Sequence, residues 1–428
     1  MTDIDQITGI DDQMNGIEQL TRRRSVRGWA RRNVIAVSSA ALLVVGMAGC
    51  SQQPEPGGEA SSASSSAKSG QPASPLDLNI VEQVQIDMDG KEVQPAAGVV
   101  PVNPAGDGKA TCAPVKIAMA GALNGPDAAL GINIKYGVQL ALDQHNAANP
   151  GCQIEFRTFD TEGDPQKATA VAPQIVDDAS VIGLIGPAFS GETKATGGVF
   201  DQAGLLAATP SATNVTLSEQ GWRTFLRGLA NDGVQGPSVA NYLKNTVGDK
   251  KVCVVDDSTD YGTGLAQAVR DTLGDVAVAA CNISVKKGDK DFSAAVTQVK
   301  GQSPDSVFYS GYYSEAAPFV QQLRDAGFAG KFVSADGTKD PEFVKQAGNA
   351  SKGAVLSCPC GPASKEFAEE YTKKFSQAPG TYSTEGYDLG TILAKGISSG
   401  AVTREALLDF ARKYEGQGVA RKYQWNDQ

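Results

Sequence analysis

The sequence predicts an α/β protein of two doubly wound parallel-sheet lobes joined by a hinge and preceded by a disordered tether. Three observations predict this. From Val115 onward, short apolar strands alternate with helical patterns, which implies parallel sheets covered by helices. The alternation runs twice, and helices without strands follow the second run, so the chain crosses back to cover its first half. Residues 51–75 are mostly Ser, Ala, Gly, Pro and Gln, too poor in apolar groups to bury a core.

In chain order, residues 1–49 read as an export signal. Asp3 to Arg32 is polar and ends in Arg22, Arg23, Arg24, Arg27, Arg31 and Arg32; Val34 to Gly49 is small and apolar. Such a run is short for a membrane span and has the layout of a signal peptide. It closes with Met47-Ala48-Gly49-Cys50, which resembles the lipobox of bacterial lipoproteins and implies lipidation of Cys50 and attachment to the cell membrane. Arg31-Arg32-Asn33-Val34-Ile35 is similar to a twin-arginine export signal, so both export routes stay open. Residues 50–112 are assigned to a lipid-anchored flexible linker. Within it, Leu76 to Gly108 has the apolar content for a short hairpin, while Pro95, Pro101 and Pro104 argue against a continuous element.

The first lobe is assigned to residues 113–232 plus 361–418. Its expected strands are Val115–Ala122, Gln153–Asp160, Val181–Ile185 and Leu205–Ala208. One helix follows GPDAALG and carries Ile134, Val138, Ala141 and Leu142 on its apolar face; another starts at Asp164-Pro165, with Asp as N-cap and Pro at the first helical position. The second lobe is assigned to 233–360 plus 419–428. It begins with helix Gly233–Asn245, strand Lys251–Val255, helix Tyr261–Leu273, strand Val276–Val285 and helix Phe292–Lys300. Strand Ser306–Ser310, helix Ala316–Ala326 and strands Lys331–Ser334 and Ala354–Ser357 complete it. Helices Lys365–Ser376, Ser383–Ser398 and Arg404–Tyr414 then return to the first lobe. Two lobes with crossing connections make a clamshell, and its cleft is the expected ligand site.

The 428 residues carry a formal charge of −10, and about −11 once the export signal is removed. An acidic, membrane-tethered chain has no reason to bind nucleic acid. Six cysteines remain beside Cys50, an even number suited to disulfides in an exported chain. Local layout favours Cys112 with Cys152 and Cys253 with Cys281, each of the latter inside a strand; Cys358-Pro359-Cys360 is left to close on itself or stay reduced. A metal site there would lack ligands, because the chain has one histidine, His145, expected on the solvated surface. Neither metal nor cofactor is expected.

Two strand ends hold the candidate chemistry. The run Leu205 to Ala208 breaks at Thr209-Pro210 into Ser211-Ala212-Thr213, and Val181 to Ile185 breaks at Gly186-Pro187 before Ser190. Each delivers hydroxyls and free backbone N–H groups to a crevice, as needed to hold a small anion. There is no Ser-His-Asp set and no phosphate loop, so catalysis is not expected.

From Val115 to its C-terminus the sequence resembles the branched-chain amino-acid binding proteins of ABC importers, on the type I periplasmic binding protein fold. The matching stretches are VKIAMAGALNGPDAALG, DTEGDPQKATAVAPQIV, IGPAFSGET, TPSATNVTL, DDSTDYGTGLA, KDFSAAV, SGYYSEAA and SADGTKDPEF, in family order. The resemblance implies a monomeric capture protein that hands a small amino acid or related amide to an ABC permease. A ligand sensor of the same fold is the alternative. By position, Ser190 and Thr213 correspond to the α-carboxylate binders and Ser211 to a backbone carbonyl acceptor for the α-ammonium. Asp336 corresponds to the acidic residue that pairs with the ammonium from the opposite lobe. Tyr261 and Tyr312 match tyrosines that close over the ligand; Leu130 and Tyr382 match residues of the side-chain pocket.

This sequence also departs from the family. An aromatic wall is Leu130 here, and the ammonium-binding glutamate is the shorter Asp336. A disulfide of the relatives would need cysteines at Gly163 and Phe189. The relatives continue from a motif similar to YQWNDQ into final strands, so the second lobe is expected to lack an edge element.

Overall fold

The computed structural model describes residues 83–94 and 100–426. The export signal, Cys50 and the tether through residue 82 lie outside them. Within the stretch assigned to flexible linker, residues 85–93 form a hairpin, with β1 (Gln85–Ile86) antiparallel to β2 (Glu92–Val93). Its turn is held: Met88 O accepts from Asn241 Nδ2 at 2.8 Å and Gly90 O from Thr246 Oγ1 at 2.9 Å. Gly90 is required there, since a Cβ would lie 2.1 Å from the Tyr242 nitrogen and φ is +77°. Backbone carbonyls, with the Gln83 side chain donating to Cys360 O, thus dock a segment whose composition promised little burial, and that part of the linker is not free.

Two five-stranded parallel sheets follow. The first contains β3 (Val115–Gly121), β4 (Ile154–Asp160), β5 (Val181–Ile185), β6 (Leu206–Thr209) and β7 (Phe225–Arg227), in the order β4-β3-β5-β6-β7. The second contains β8 (Val252–Asp256), β9 (Ile283–Ser284), β10 (Ser306–Ser310), β11 (Lys331–Ser334) and β12 (Val355–Leu356), in the order β12-β11-β10-β8-β9. Counted from each sheet's own first strand, both orders are 2-1-3-4-5. Each sheet reverses its winding beside that strand, between β3 and β5 and between β8 and β10, and ligands of such sheets sit outside the strand C-termini there.

Helices α1 (Ala128–Ala148), α2 (Pro165–Asp177) and α3 (Ser190–Gln202) belong to the first winding; α4 (Asp232–Asn241), α5 (Asp260–Leu273), α6 (Ser293–Gln302), α7 (Tyr313–Asp325) and α8 (Pro341–Ala347) belong to the second. Asp164 caps α2 by accepting from the N–H groups of Gln166 and Lys167, as its position before Pro165 predicts. Helices α9 (Lys365–Phe375), α10 (Ser383–Ser398) and α11 (Arg404–Arg412) return to the first sheet. Close approach explains the glycines here. A Cβ at Gly137 would lie 2.1 Å from Ser383 O, and one at Gly386 would lie 2.5 Å from Ile134 O, so α1 and α10 pack nearly backbone to backbone.

Several expectations are corrected. The strand read over Val276–Val285 is two 3-10 turns, at Gly274–Val276 and Ala279–Cys281, before the two-residue β9. Cys281 therefore lies in a turn, while its partner Cys253 lies in β8. Strand β7 was not anticipated, being three residues long. His145 is fully buried rather than solvated: its Nε2 lies 3.0 Å from Cys152 O and its Nδ1 3.3 Å from Pro104 O. Residues 419–426, assigned to the second lobe, bond mainly to α10 of the first, while Arg421 also donates to Pro359 O at 2.7 Å. The buried carboxylate of Asp388 on α10 accepts from the N–H groups of Val419 and Ala420 at 2.7 and 2.8 Å and from the Tyr423 hydroxyl at 3.1 Å. These contacts set the antiparallel pair β13 (Glu415–Gln417) and β14 (Lys422–Gln424), and Trp425 Nε1 donates to Arg227 O at 3.1 Å.

Disulfides join Cys112 to Cys152, Cys253 to Cys281 and Cys358 to Cys360. The CPC sequence therefore closes on itself. Among the described residues no helix is long and apolar enough to cross a membrane, and no group of three or more His, Cys, Asp or Glu is arranged to hold a metal ion.

Candidate ligand-binding site

The ends of β5, β6, β8, β10 and β11 meet around one enclosed cavity. It is lined by Leu130, Phe189, Ser190, Ser211, Tyr261, Tyr312, Asp336, Gly337 and Tyr382. Seven of the eight ligand-contact residues expected from the sequence line it; Thr213 lies behind the wall. The room left for a water-sized sphere is ≈ 10 Å³, about that of a single water molecule. An amino acid can enter and be held only if the lobes part and re-close around it.

The first-lobe wall is built by cross-links between two loops. Ser190 opens α3, so first-turn N–H groups and the positive end of the helix face the cavity side. Its Oγ accepts from the Asn214 N–H at 3.2 Å, and the Ser211 hydroxyl donates to Ala188 O at 2.5 Å. Thr209 Oγ1 donates to Pro187 O at 2.8 Å. The loop after β5 and the loop after β6 are therefore tied together. Arg227 of β7 fastens them from behind by donating to Asn214 O at 2.8 Å.

The second-lobe wall centres on Asp336. Its Oδ1 accepts from the Tyr261 hydroxyl at 2.8 Å and its Oδ2 from the Tyr382 hydroxyl at 2.5 Å. Burial raises its pKa, opposed by hydrogen bonds from Tyr382, Tyr261 and Gln235. Tyr382 adopts a left-handed backbone conformation, φ 71°, which is costly for a bulky residue and occurs here where the side chain must reach Asp336. Gly337 is excluded from substitution by geometry, because a Cβ would lie 2.8 Å from Gly311 O and from the Tyr261 ring.

Asp232 at the start of α4 is the residue that sequence reasoning missed. It is wholly buried, and neither carboxylate oxygen has a hydrogen-bond partner among the described residues. Thr213 Oγ1 faces it without good hydrogen-bond geometry and is itself unpartnered. Burial first, and the neighbouring Asp336 second, push the Asp232 carboxyl well above the usual range. Asp336 in the cavity wall thus has a second buried acid beside it, whose charge Arg227 favours and Asp336 opposes. The signal was present as Asn231-Asp232-Gly233, but that tripeptide reads as an ordinary helix start, and Asn231 indeed caps α4.

Residues 114–428 match the model of the family described as periplasmic binding protein. The chain belongs to this family. It is similar to the leucine-, isoleucine-, valine-, threonine-, and alanine-binding protein of Pseudomonas aeruginosa, 30% identical over 290 residues that cover 66% of this chain and 78% of that protein. The Leu/Ile/Val-binding protein of Escherichia coli is 30% identical over 276 residues, covering 63% of this chain and 75% of its own length. The structure of LivJ, the branched-chain amino acid transporter substrate-binding protein from Streptococcus pneumoniae in complex with isoleucine, superposes with a TM-score of 0.68 at 30% identity, covering 73% of this chain and 92% of that chain. This periplasmic binding protein is accordingly a substrate-binding component of the transporter type, extracytoplasmic by family, and not an enzyme. The positions expected to lack the relatives' disulfide are neighbours in space: a Cβ at Gly163 would lie 2.6 Å from the Phe189 ring. In this periplasmic binding protein an aromatic ring fills that space and also lines the cavity.

Proposed function

We propose that the protein captures a small aliphatic α-amino acid as a zwitterion between its lobes and passes it to an ABC permease. In this reading it acts as a monomer held to the membrane by a lipid on Cys50. The observation that carries it is the buried acid Asp336, lining the same cavity as Ser190 at the start of α3, with Asp232 beside it. A zwitterion leaving water needs donors for one end and acceptors for the other. Ser190 and the first-turn N–H groups of α3 serve the carboxylate, and Ser211 O and Asp336 serve the ammonium, with Asp232 beside Asp336 adding to the acidic side. Leu130, Phe189, Tyr312 and Tyr382 favour an aliphatic side chain between them. Hydrogen bonds to charged groups contribute about 1.5–3 kcal/mol each, and burying an aliphatic side chain adds about the same. Micromolar binding, about −8 kcal/mol, is within reach after the costs of association.

Titration calorimetry of the protein against the twenty amino acids, short amides, urea and aromatic acids tests this. Leucine, isoleucine or valine should bind at micromolar concentration or below, and failure of every α-amino acid overturns the ligand reading. Deleting the gene should abolish uptake of the bound amino acid; unchanged uptake would point to a sensor.

A further inference from the structure

A second set of groups spans the cleft beside the ligand cavity, and its centre is Lys287. This residue follows β9 in the second lobe, and its side chain crosses to the first. Its Nζ lies 3.0 Å from Asp127 Oδ2, just before α1, with the Asp127 side chain 1% exposed and that of Lys287 27%. Neither Asp127 oxygen makes a hydrogen bond among the described residues, so the ion pair carries the whole compensation of that buried carboxylate. The ammonium also sits 4.3 Å from the Tyr312 ring centroid and 5.1 Å from that of Phe189. These two rings come from opposite lobes, meet with centroids 4.5 Å apart, and both line the cavity. Gly163 makes the space: Gly163 O lies 3.5 Å from Nζ, and a Cβ on Gly163 would lie 3.3 Å from it.

Three other carboxyls face Lys287: Glu192 of α3, Asp257 after β8 and Glu315 of α7. Each has its own partners. Glu192 accepts from the Phe189 N–H, Asp257 from Thr259, and Glu315 from the Gly288 N–H and the Ser314 hydroxyl. Burial raises all three, with Lys287 among the groups opposing it. Asp127 differs in having Lys287 alone.

We propose that Lys287 is a positioning residue that latches the lobes shut, by pairing with Asp127 and seating its ammonium against Phe189 and Tyr312. The ion pair itself lies outside the cavity lining, while the two rings that the ammonium seats against belong to it. When the lobes part, Lys287 leaves with the second lobe and water reaches both charges. Closure therefore exchanges hydration for the ion pair and the two ring faces. Losing the cation alone strands Asp127 as an uncompensated charge in the closed form, which is costlier than losing both partners.

The test measures lobe separation in the ligand-free full chain, by resonance energy transfer between labels placed through unnatural amino acids at exposed Gln174 of α2 and Lys300 of α6. Lys287→Met should shift the open-to-closed ratio toward open by roughly tenfold. Asp127→Asn should shift it less. The double variant should be more closed than Lys287→Met, because the stranded charge is gone. Lys287→Arg keeps the charge and should stay near the parent, which separates latch loss from misfolding. Lobe separation unchanged in Lys287→Met, or a double variant as open as Lys287→Met, overturns the latch. Both results are independent of which amino acid binds.

Discussion

At the scale of single residues, the site depends on where two carboxyl groups are placed relative to water. Asp336 was legible because its sequence context, SADGTKDPEF, matches the family's; Asp232 was not, since an acid at a helix start has an ordinary structural use. Their burial makes them testable. Burial first, and Asp336 second, raise the Asp232 pKa well above the usual range, so it holds its proton more tightly than an exposed acid does. An incoming ammonium favours the carboxylate, so amino-acid binding should release a proton. Calorimetry at pH 7 in buffers of different ionisation enthalpy reads this directly, and an observed enthalpy independent of buffer would remove that role. Asp232→Asn should abolish the proton release. Asp336→Asn should weaken leucine by about 10- to 100-fold, from the loss of a charged hydrogen bond, and its oxo-acid analogue far less. Equal losses for the two would show that Asp336 does not meet the ammonium.

At the scale of elements, periodicity located most helices because their buried faces recur every 3.6 residues; α10 falls on Ser383–Ser398 as expected. What it packs against was not readable. Fourteen of its sixteen residues are buried, so it has little polar face to orient it. The contact is instead set by Gly137 and Gly386, which look unremarkable in sequence and permit backbone contact in space. Gly137→Ala, whose Cβ would meet Ser383 O at 2.1 Å, should force α1 and α10 apart and cost about 1–3 kcal/mol. Differential scanning calorimetry should show the transition lowered by several degrees, and an unchanged transition would mean that the helices do not meet there. The failed strand at Val276–Val285 shows the converse limit. A short apolar run does not distinguish a strand from buried turns, and here the backbone turns twice before pairing with β8.

At the scale of the whole molecule, stability is tied to pH through carboxyls that folding removes from water. Burial pushes Glu192, Asp257 and Asp388 each up to about 7, against 4 to 4.5 for such groups in an unfolded chain. A raised acid contributes stability that is fully present below its unfolded pKa and is lost as pH rises through its folded pKa. The melting temperature should therefore fall between about pH 4 and about pH 7. Glu192→Gln should flatten part of that slope, and a flat profile in the parent would contradict the burial of these charges. Asp178, held down to about 2 first by its bond from Lys116, acts in the opposite sense and matters only below about pH 4. By itself the sequence determined the two-lobed α/β plan, the favoured cysteine pairs and the two hydroxyl-bearing strand ends, because alternation, spacing and turn chemistry are local properties of the chain. Only the tertiary structure decided that Asp232 joins Asp336, that Lys287 reaches Asp127 across the cleft, and that residues 419–426 settle on Asp388. Those outcomes depend on which charges are stripped of water by residues far away in sequence, and no local pattern records that.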